Sequence, residues 1–214
     1  MPDFCTGIVA YQALLVNTMK KALRILVFGL VCLHLVGEAE AQRLSDIELQ
    51  DAVSGEVFSL KEYRSSKAVV LIFSSLGCPF SKLYEARINK LYEEYAVQGF
   101  VFAMVNPHAG QGSGESLADM ADRAAQKGYL MPYLMDTEQK MTRYLEVTKI
   151  PEAVVISNGP TGYSVVYKGA IDNNPQSAES AQMKYLESAL GNILARKNPS
   201  PASTRAVGCN VRLQ

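Results

Sequence analysis

The 214-residue chain has no surplus of charge of either sign: 21 Lys plus Arg stand against 21 Asp plus Glu. That balance argues against a nucleic-acid binder, which needs a basic patch or excess. No apolar run reaches the roughly 18 residues that span a bilayer, which argues against an integral membrane protein. Only four Cys and two His are present, too few for a disulfide-dense scaffold or a zinc array. What is present is 48% hydrophobic and 20% charged residues. Such a chain buries enough apolar surface to fold, and its length suits one ordinary domain with a sizeable core.

The first 41 residues read differently from the rest. Lys20, Lys21 and Arg24 form a cationic cluster, and residues 25–36 are apolar except for His34. Gly37-Glu38 then leads to Ala39-Glu40-Ala41, a small-x-small cleavage pattern. Charge, apolar stretch and small residues in that order describe a secretory signal peptide, with a core helix as the bland alternative. Met19 directly precedes the cluster, so residues 1–18 are expected to be an over-long start. Cleavage after Ala41 removes Cys5, Cys32 and His34. Cys78, Cys209 and His108 then remain, and the two thiols lie in an oxidising compartment where disulfides persist. The expected organisation is a targeting segment over 1–41, one domain over 42–195 and an extended Pro- and Ser-rich tail over 196–214.

Within the domain, residues 46–60 predict a short hairpin turning at Ser54-Gly55. Ala68–Phe73 (AVVLIF) is a continuous apolar, β-branched run, suited to a strand buried on both faces. From Pro79 the period changes to helical, with Phe80, Tyr84, Ile88, Leu91 and Tyr95 on one side. Residues 100–105 predict a second buried strand. Ser116 with Asp119 resembles a capping box opening a helix that Gly128 ends. A short strand is expected at 133–135, and Asp136 with Gln139 is expected to cap another short helix. Residues 153–156 and 164–168 predict an antiparallel hairpin, and Leu186, Leu190, Ile193 and Leu194 mark a last helix. The first half is thus a βαβ unit with a parallel strand pair.

Cys78 follows a buried strand and precedes a helix with Pro79 at its first position, where a missing N–H costs nothing. A thiol there faces unpaired backbone N–H groups and the positive end of the helix dipole, and both favour the thiolate. A depressed thiol pKa and solvent exposure are therefore expected, with Lys82 adding a little. The opposing reading is an inert, buried cysteine acting as a small apolar residue.

At this point the chain resembles a known family. The strand followed by Gly77-Cys78-Pro79-Phe80-Ser81-Lys82 is similar to the thioredoxin-like redoxins. Within them it looks most like the alkyl hydroperoxide reductase and thiol-specific antioxidant group, in a peroxiredoxin-like subgroup with a Gly-Cys-Pro-x-x-Lys site. Residues 131–138, Lys149-Ile150-Pro151-Glu152, residues 167–173 and Gly208-Cys209-Asn210-Val211-Arg212 extend the likeness over roughly 45–212. The resemblance implies an α/β thioredoxin-like fold. Its central mixed sheet would be flanked by helices, with an N-terminal hairpin and an inserted helix-strand segment. It also implies a cis Pro151 facing the cysteine loop and shaping a groove for a peptide or mixed disulfide. No metal, nucleotide or other cofactor is implied.

Two departures matter. A thioredoxin-type Cys-x-x-Cys would need a cysteine where Ser81 stands, so a fast local disulfide is impossible. A peroxiredoxin site carries Pro seven and Thr three residues before its cysteine, and here those positions hold Leu71 and Ser75. Ser75 still offers a hydroxyl, but no Arg is placed by the motif. Copper delivery would need a second cysteine where Lys82 stands. Residues 110–114 lack the Gly-Lys-Ser/Thr of a phosphate loop. His108 reads as a solvated loop histidine, and Tyr84, Tyr92 and Tyr95 as packing.

Cys209 is the remaining thiol, and the tail is long enough to fold back across the domain. A Cys78–Cys209 bond would form after Cys78 is oxidised or attacks a substrate disulfide. The alternative is a permanent staple, contributing about 5 kcal/mol in the chain-entropy model. The first expectation is an exported, periplasmic or extracellular thiol–disulfide oxidoreductase. Cys78 would be its nucleophile, Cys209 its resolving thiol, Pro151 its groove, and Ser75 and Lys82 would tune the thiolate. Its partners would be a protein disulfide and a redox-protein electron donor. A hydroperoxide-reducing antioxidant peroxidase and a stapled, non-catalytic binding module are the alternatives.

Overall fold

The computed structural model describes residues 43–110, 114–160 and 162–213. The signal segment, its start at Met19, and Gly112 of the glycine loop lie outside the described residues. Among the described residues, no helix is long and apolar enough to cross a membrane.

The domain is built on a seven-stranded mixed sheet. Its strands are β1 (Glu48–Asp51), β2 (Val57–Ser59), β3 (Ala68–Phe73), β4 (Phe100–Asn106), β5 (Tyr133–Met135), β7 (Glu152–Gly159) and β8 (Gly162–Gly169). Their order across the sheet is β2-β1-β5-β4-β3-β7-β8. β3, β4 and β5 run parallel, while β1 and β7 join them antiparallel on either side. The helices are α1 (Pro79–Ala96), α2 (Leu117–Lys127), α3 (Lys140–Tyr144) and α4 (Tyr185–Leu194). A separate two-stranded ribbon pairs β6 (Lys149–Ile150) with β9 (Cys209–Asn210). This is the thioredoxin-like architecture implied by the cysteine motif.

β3 lies at the middle of the sheet, and every residue of it is 2% exposed or less. Alternation divides its side chains between two cores. Val70 and Ile72 face α1, α2 and α4, packing with Tyr84, Ile88, Met120 and Leu190. Val69, Leu71 and Phe73 face the opposite layer, with Leu134, Met141, Val154 and Ile150. Cys78 belongs to this second layer. Each fully buried aliphatic side chain here contributes roughly 1.5–3 kcal/mol relative to exposure. A strand lined this way is held rigidly, so the loop that leaves it is aimed rather than free.

α2 starts in the expected capping box. Ser116 Oγ accepts the Asp119 N–H, and the Asp119 carboxylate accepts the Ser116 N–H. Gly128 closes that helix in the left-handed region at φ 63°. The start of α3 differs from expectation. Asp136 caps it alone, accepting the N–H groups of Met141 and Thr142 at 3.2 and 2.7 Å and the Thr142 hydroxyl at 2.6 Å. Gln139 takes the left-handed position before the helix and sends its amide elsewhere, donating at 2.8 Å to the carbonyls of Pro107 and Arg212. The tail is extended but anchored. Ser203 bridges Lys168, and the Thr204 hydroxyl accepts the Ala170 N–H at 3.0 Å.

Candidate active site

β3 ends at Phe73, and five residues later Cys78 forms the N-cap of α1 in extended backbone, with Pro79 at the first helical position. The intervening loop is braced from two sides. Ser81, standing where a second cysteine would be, accepts the Ser75 N–H on its hydroxyl at 3.3 Å. Glu115, at the end of the loop after β4, accepts the N–H groups of Leu76 at 3.1 Å and Gly77 at 3.0 Å. Asn106 donates its side-chain amide to the same carboxyl at 2.7 Å. Gly77 leaves room for this approach, since a Cβ there would sit a tight 3.1 Å from Glu115 Oε1. Glu115 is 4% exposed. This buried carboxyl fixes the backbone immediately ahead of the cysteine.

Cys78 is bonded to Cys209, 131 positions away, with Cα atoms 6.1 Å apart. The expected solvent exposure of Cys78 is absent in this oxidised form: the residue is 3% exposed. Cys78 sits in the second core layer with Phe73, Met141 and Ile150, and Cys209 packs beside it. Cys209 itself is only partly buried, so the two residues differ in burial. Cys78 Sγ lies 3.4 Å from the Ile150 carbonyl oxygen. A disulfide sulfur carries no proton, so this is a contact. After reduction the thiol has an acceptor there, which favours the protonated form and opposes the helix dipole.

The Ile150–Pro151 peptide is cis, as the resemblance implied, and Ile150 pairs directly with Cys209. Pro151 is buried. The pairing brings together Cys78, Cys209 and Pro151. Ser75 is also close in the chain and buried, its carbonyl accepting the Cys78 N–H at 3.3 Å. Lys82 is exposed one turn into α1, its N–H donating to the Cys78 carbonyl at 3.3 Å. The side chain of Lys82 is thus on the solvent side of the helix start.

Buried polar residues near the cysteines differ from what the sequence suggested or were not marked by it. His108 is buried at 7% exposure, contrary to its reading as a solvated residue. Its Nε2 accepts the Arg212 N–H at 3.0 Å, so the ring clamps the tail three residues beyond Cys209. Burial pushes its pKa below 6.5, and the Arg212 charge acts in the same direction against Glu115. Glu152, directly after Pro151, is 6% exposed, and its Oε2 has no hydrogen-bond partner. Burial raises its pKa above 4.5, against the pull of Lys168 and the Thr148 and Lys149 amides. A weak signal for His108 and Glu115 existed: both follow a buried strand in the loop facing the cysteine. Arg87 of α1 is committed elsewhere. It forms an ion pair with Asp172 at 2.5 Å and donates to the Asn174 and Pro175 carbonyls.

No curated protein matches the chain. Among solved structures it is similar to a hypothetical protein from Sinorhizobium meliloti, at 26% identity and TM-score 0.71 over 81% of this chain and 93% of that one. A protein from Geobacillus kaustophilus matches at 23% identity and TM-score 0.71, over 78% and 88%. The bacterioferritin comigratory protein of Xanthomonas campestris, described by its alkyl peroxide reduction activity, matches at 17% identity and TM-score 0.53, over 72% and 93%. The last two likenesses bear on the fold alone. The AhpC/TSA family description matches residues 41–165, well over half the chain. With a redoxin sheet, a cysteine capping the first long helix and a cis-proline beside it, the chain belongs to the AhpC/TSA family.

Proposed function

We propose that the protein is a thiol–disulfide oxidoreductase in which Cys78 is the nucleophile and Cys209 the resolving thiol. The observation carrying this reading is the bond between an N-cap cysteine and a tail cysteine seated beside a cis-proline. The unequal burial of the two cysteines favours one direction of opening. An incoming thiolate reaches Cys209 more easily than the buried Cys78. Attack there expels Cys78 as thiolate, the leaving group that the helix N-terminus stabilises. In the separate half-reaction with substrate, Cys78 thiolate attacks a substrate disulfide and releases one substrate thiol. Cys209 then attacks the mixed disulfide at Cys78 and releases the other. Two electrons pass from the dithiol to the substrate, and a partner dithiol restores them. Ser75 and Lys82 border the nucleophile, and Pro151 forms the wall of the groove. The cationic, apolar and small-residue order of residues 20–41 supports export to an oxidising compartment.

Cys78→Ser is expected to abolish reduction of a protein disulfide at equal folding, measured by turnover with a dithiol donor. Unchanged turnover overturns the reading. Family membership favours a second reading, in which Cys78 attacks a hydroperoxide and Cys209 resolves the sulfenic acid. The sequence around Cys78 speaks against it, because Leu71 is fully buried mid-strand where the peroxidase motif needs proline, and Arg87 is held by Asp172. Peroxide consumption, with a sulfenate trapped in Cys209→Ser, would select it.

A further inference from the structure

The tail occupies the groove as a peptide ligand would, and its contacts define what the groove accepts. Cys209 pairs antiparallel with Ile150 and Asn210 with Lys149, and the Val211 N–H donates to the Thr148 carbonyl at 3.0 Å. One residue before the cysteine, the Gly208 backbone presses on the Ile150–Pro151 peptide. A Cβ at this position would collide with the Ile150 carbonyl oxygen and lie 2.7 Å from its carbon and 3.1 Å from Pro151 N. These are backbone atoms held by the sheet and by the ring of Pro151, so they have little room to yield. Farther along, the main chain of Arg212 is gripped at both ends. His108 Nε2 accepts its N–H at 3.0 Å, and Gln139 Nε2 donates to its carbonyl at 2.8 Å. Side chains are met as well: Lys149 Nζ donates to the Asn210 side-chain oxygen, and Val211 packs partly buried against the second core layer. The groove therefore reads backbone at four positions and excludes side chains at one.

We propose that this groove selects extended protein segments in which glycine immediately precedes the reacting cysteine. The inference rests on the thiol–disulfide reading above and names its substrate class: a disulfide whose accessible half lies in a Gly-Cys segment able to add a strand beside Lys149–Ile150. The substrate cysteine then takes the place of Cys209, and the position before it meets the Ile150 carbonyl. Cys78 thiolate attacks the sulfur of that cysteine. A Cys78–substrate disulfide forms, the substrate disulfide breaks, and its other sulfur leaves as thiolate and takes a proton from water. Return of Gly208-Cys209 to the same place displaces the substrate as thiol and closes the internal disulfide. Substrate and tail compete for one seat under one steric rule.

The test uses the full chain with Cys5, Cys32 and Cys209 each replaced by Ser, reduced, so that Cys78 is its one thiol and no tail thiol from a second copy can take part. Two hexapeptides, Val-Gly-Cys-Asn-Val-Arg and Val-Ala-Cys-Asn-Val-Arg, are each joined through cysteine to thionitrobenzoate. Attack by Cys78 on the peptide sulfur releases the coloured anion, whose appearance gives the rate. The glycine peptide is expected to react about tenfold faster or more, since an extra methyl against rigid backbone is poorly accommodated. Equal rates overturn the selection of glycine and leave Cys78 a nucleophile. Reaction with dithionitrobenzoate but with neither peptide overturns the groove as a peptide site. Absence of reaction with all three reagents in the folded protein overturns the underlying thiol–disulfide reading itself. In the chain with both cysteines, Gly208→Ala is expected to slow closure of Cys78–Cys209 by a similar factor. Closure at the original rate contradicts the steric rule.

Discussion

At the scale of single residues, the loop that carries Cys78 is held by a buried carboxyl from a distant segment. Glu115 binds two consecutive amides of the loop before Cys78 and is itself held by Asn106. Its removal leaves buried donors unpaired, and each such loss costs about 1–3 kcal/mol. Glu115→Ala is therefore expected to lower unfolding free energy by about that amount in urea titration of the reduced protein. It should also change the alkylation rate of Cys78, because the loop that aims the sulfur loosens. Unaltered stability and alkylation would show that the clamp holds nothing. Cys78 itself was legible from sequence because proline at the first helical position and a preceding β-branched run are local signals. The importance of Glu115 was not legible. Nothing local marks a glutamate 37 positions downstream, 115 less 78, as the brace of a loop it meets only after β4 lies beside β3.

Elements are where the sequence was most readable, and the reasons are physical. β3, α1, β4 and α2 carry strong periodicity or caps of their own, and each formed as expected. The failures fall where long-range contacts outweigh local patterns. Gln139 looked like the second half of a cap, yet its amide is drawn to the Pro107 and Arg212 carbonyls, leaving Asp136 to cap α3 alone. His108 looked solvated beside glycines, and the returning tail buries it. The two-sided burial of β3 has a measurable consequence. Ile72→Ala is expected to cost about 2–5 kcal/mol, because a cavity opens between sheet and α1 with no water to fill it. Chemical denaturation measures this, and a loss below about 1 kcal/mol would mean that the strand relaxes freely. At the tail, neutral His108 is needed as an acceptor for Arg212. Its folded pKa is pushed down by burial, so below about pH 6.5 the unfolded chain binds a proton that the folded chain resists. Stability is thus expected to fall as pH drops from 6.5 toward the lowered value. Thermal melts of wild type and His108→Asn across that window read the effect. The variant should lose this part of the slope, and identical pH profiles would contradict the clamp.

For the whole molecule, the tail couples chemistry to folding. One bond ties residue 209 to residue 78 and closes most of the domain into a loop of 131 positions. Cys78 is buried in this bonded form, while Cys209 beside it is only partly buried. A staple would need only the first property. A redox pair needs both, and it also needs the inner sulfur to be stable as an anion once released. That stability is set by opposing influences: the N-terminus of α1 favours the thiolate and the Ile150 carbonyl disfavours it. Nucleophilic chemistry at Cys78 requires the helix to win. The direct measurement is the rate of Cys78 alkylation by iodoacetamide against pH, in the folded, reduced Cys209→Ser protein. A titration midpoint clearly below about 8.5, the ordinary thiol value, is expected. A midpoint at or above that value, or a Cys78 that resists alkylation until the protein unfolds, would contradict it.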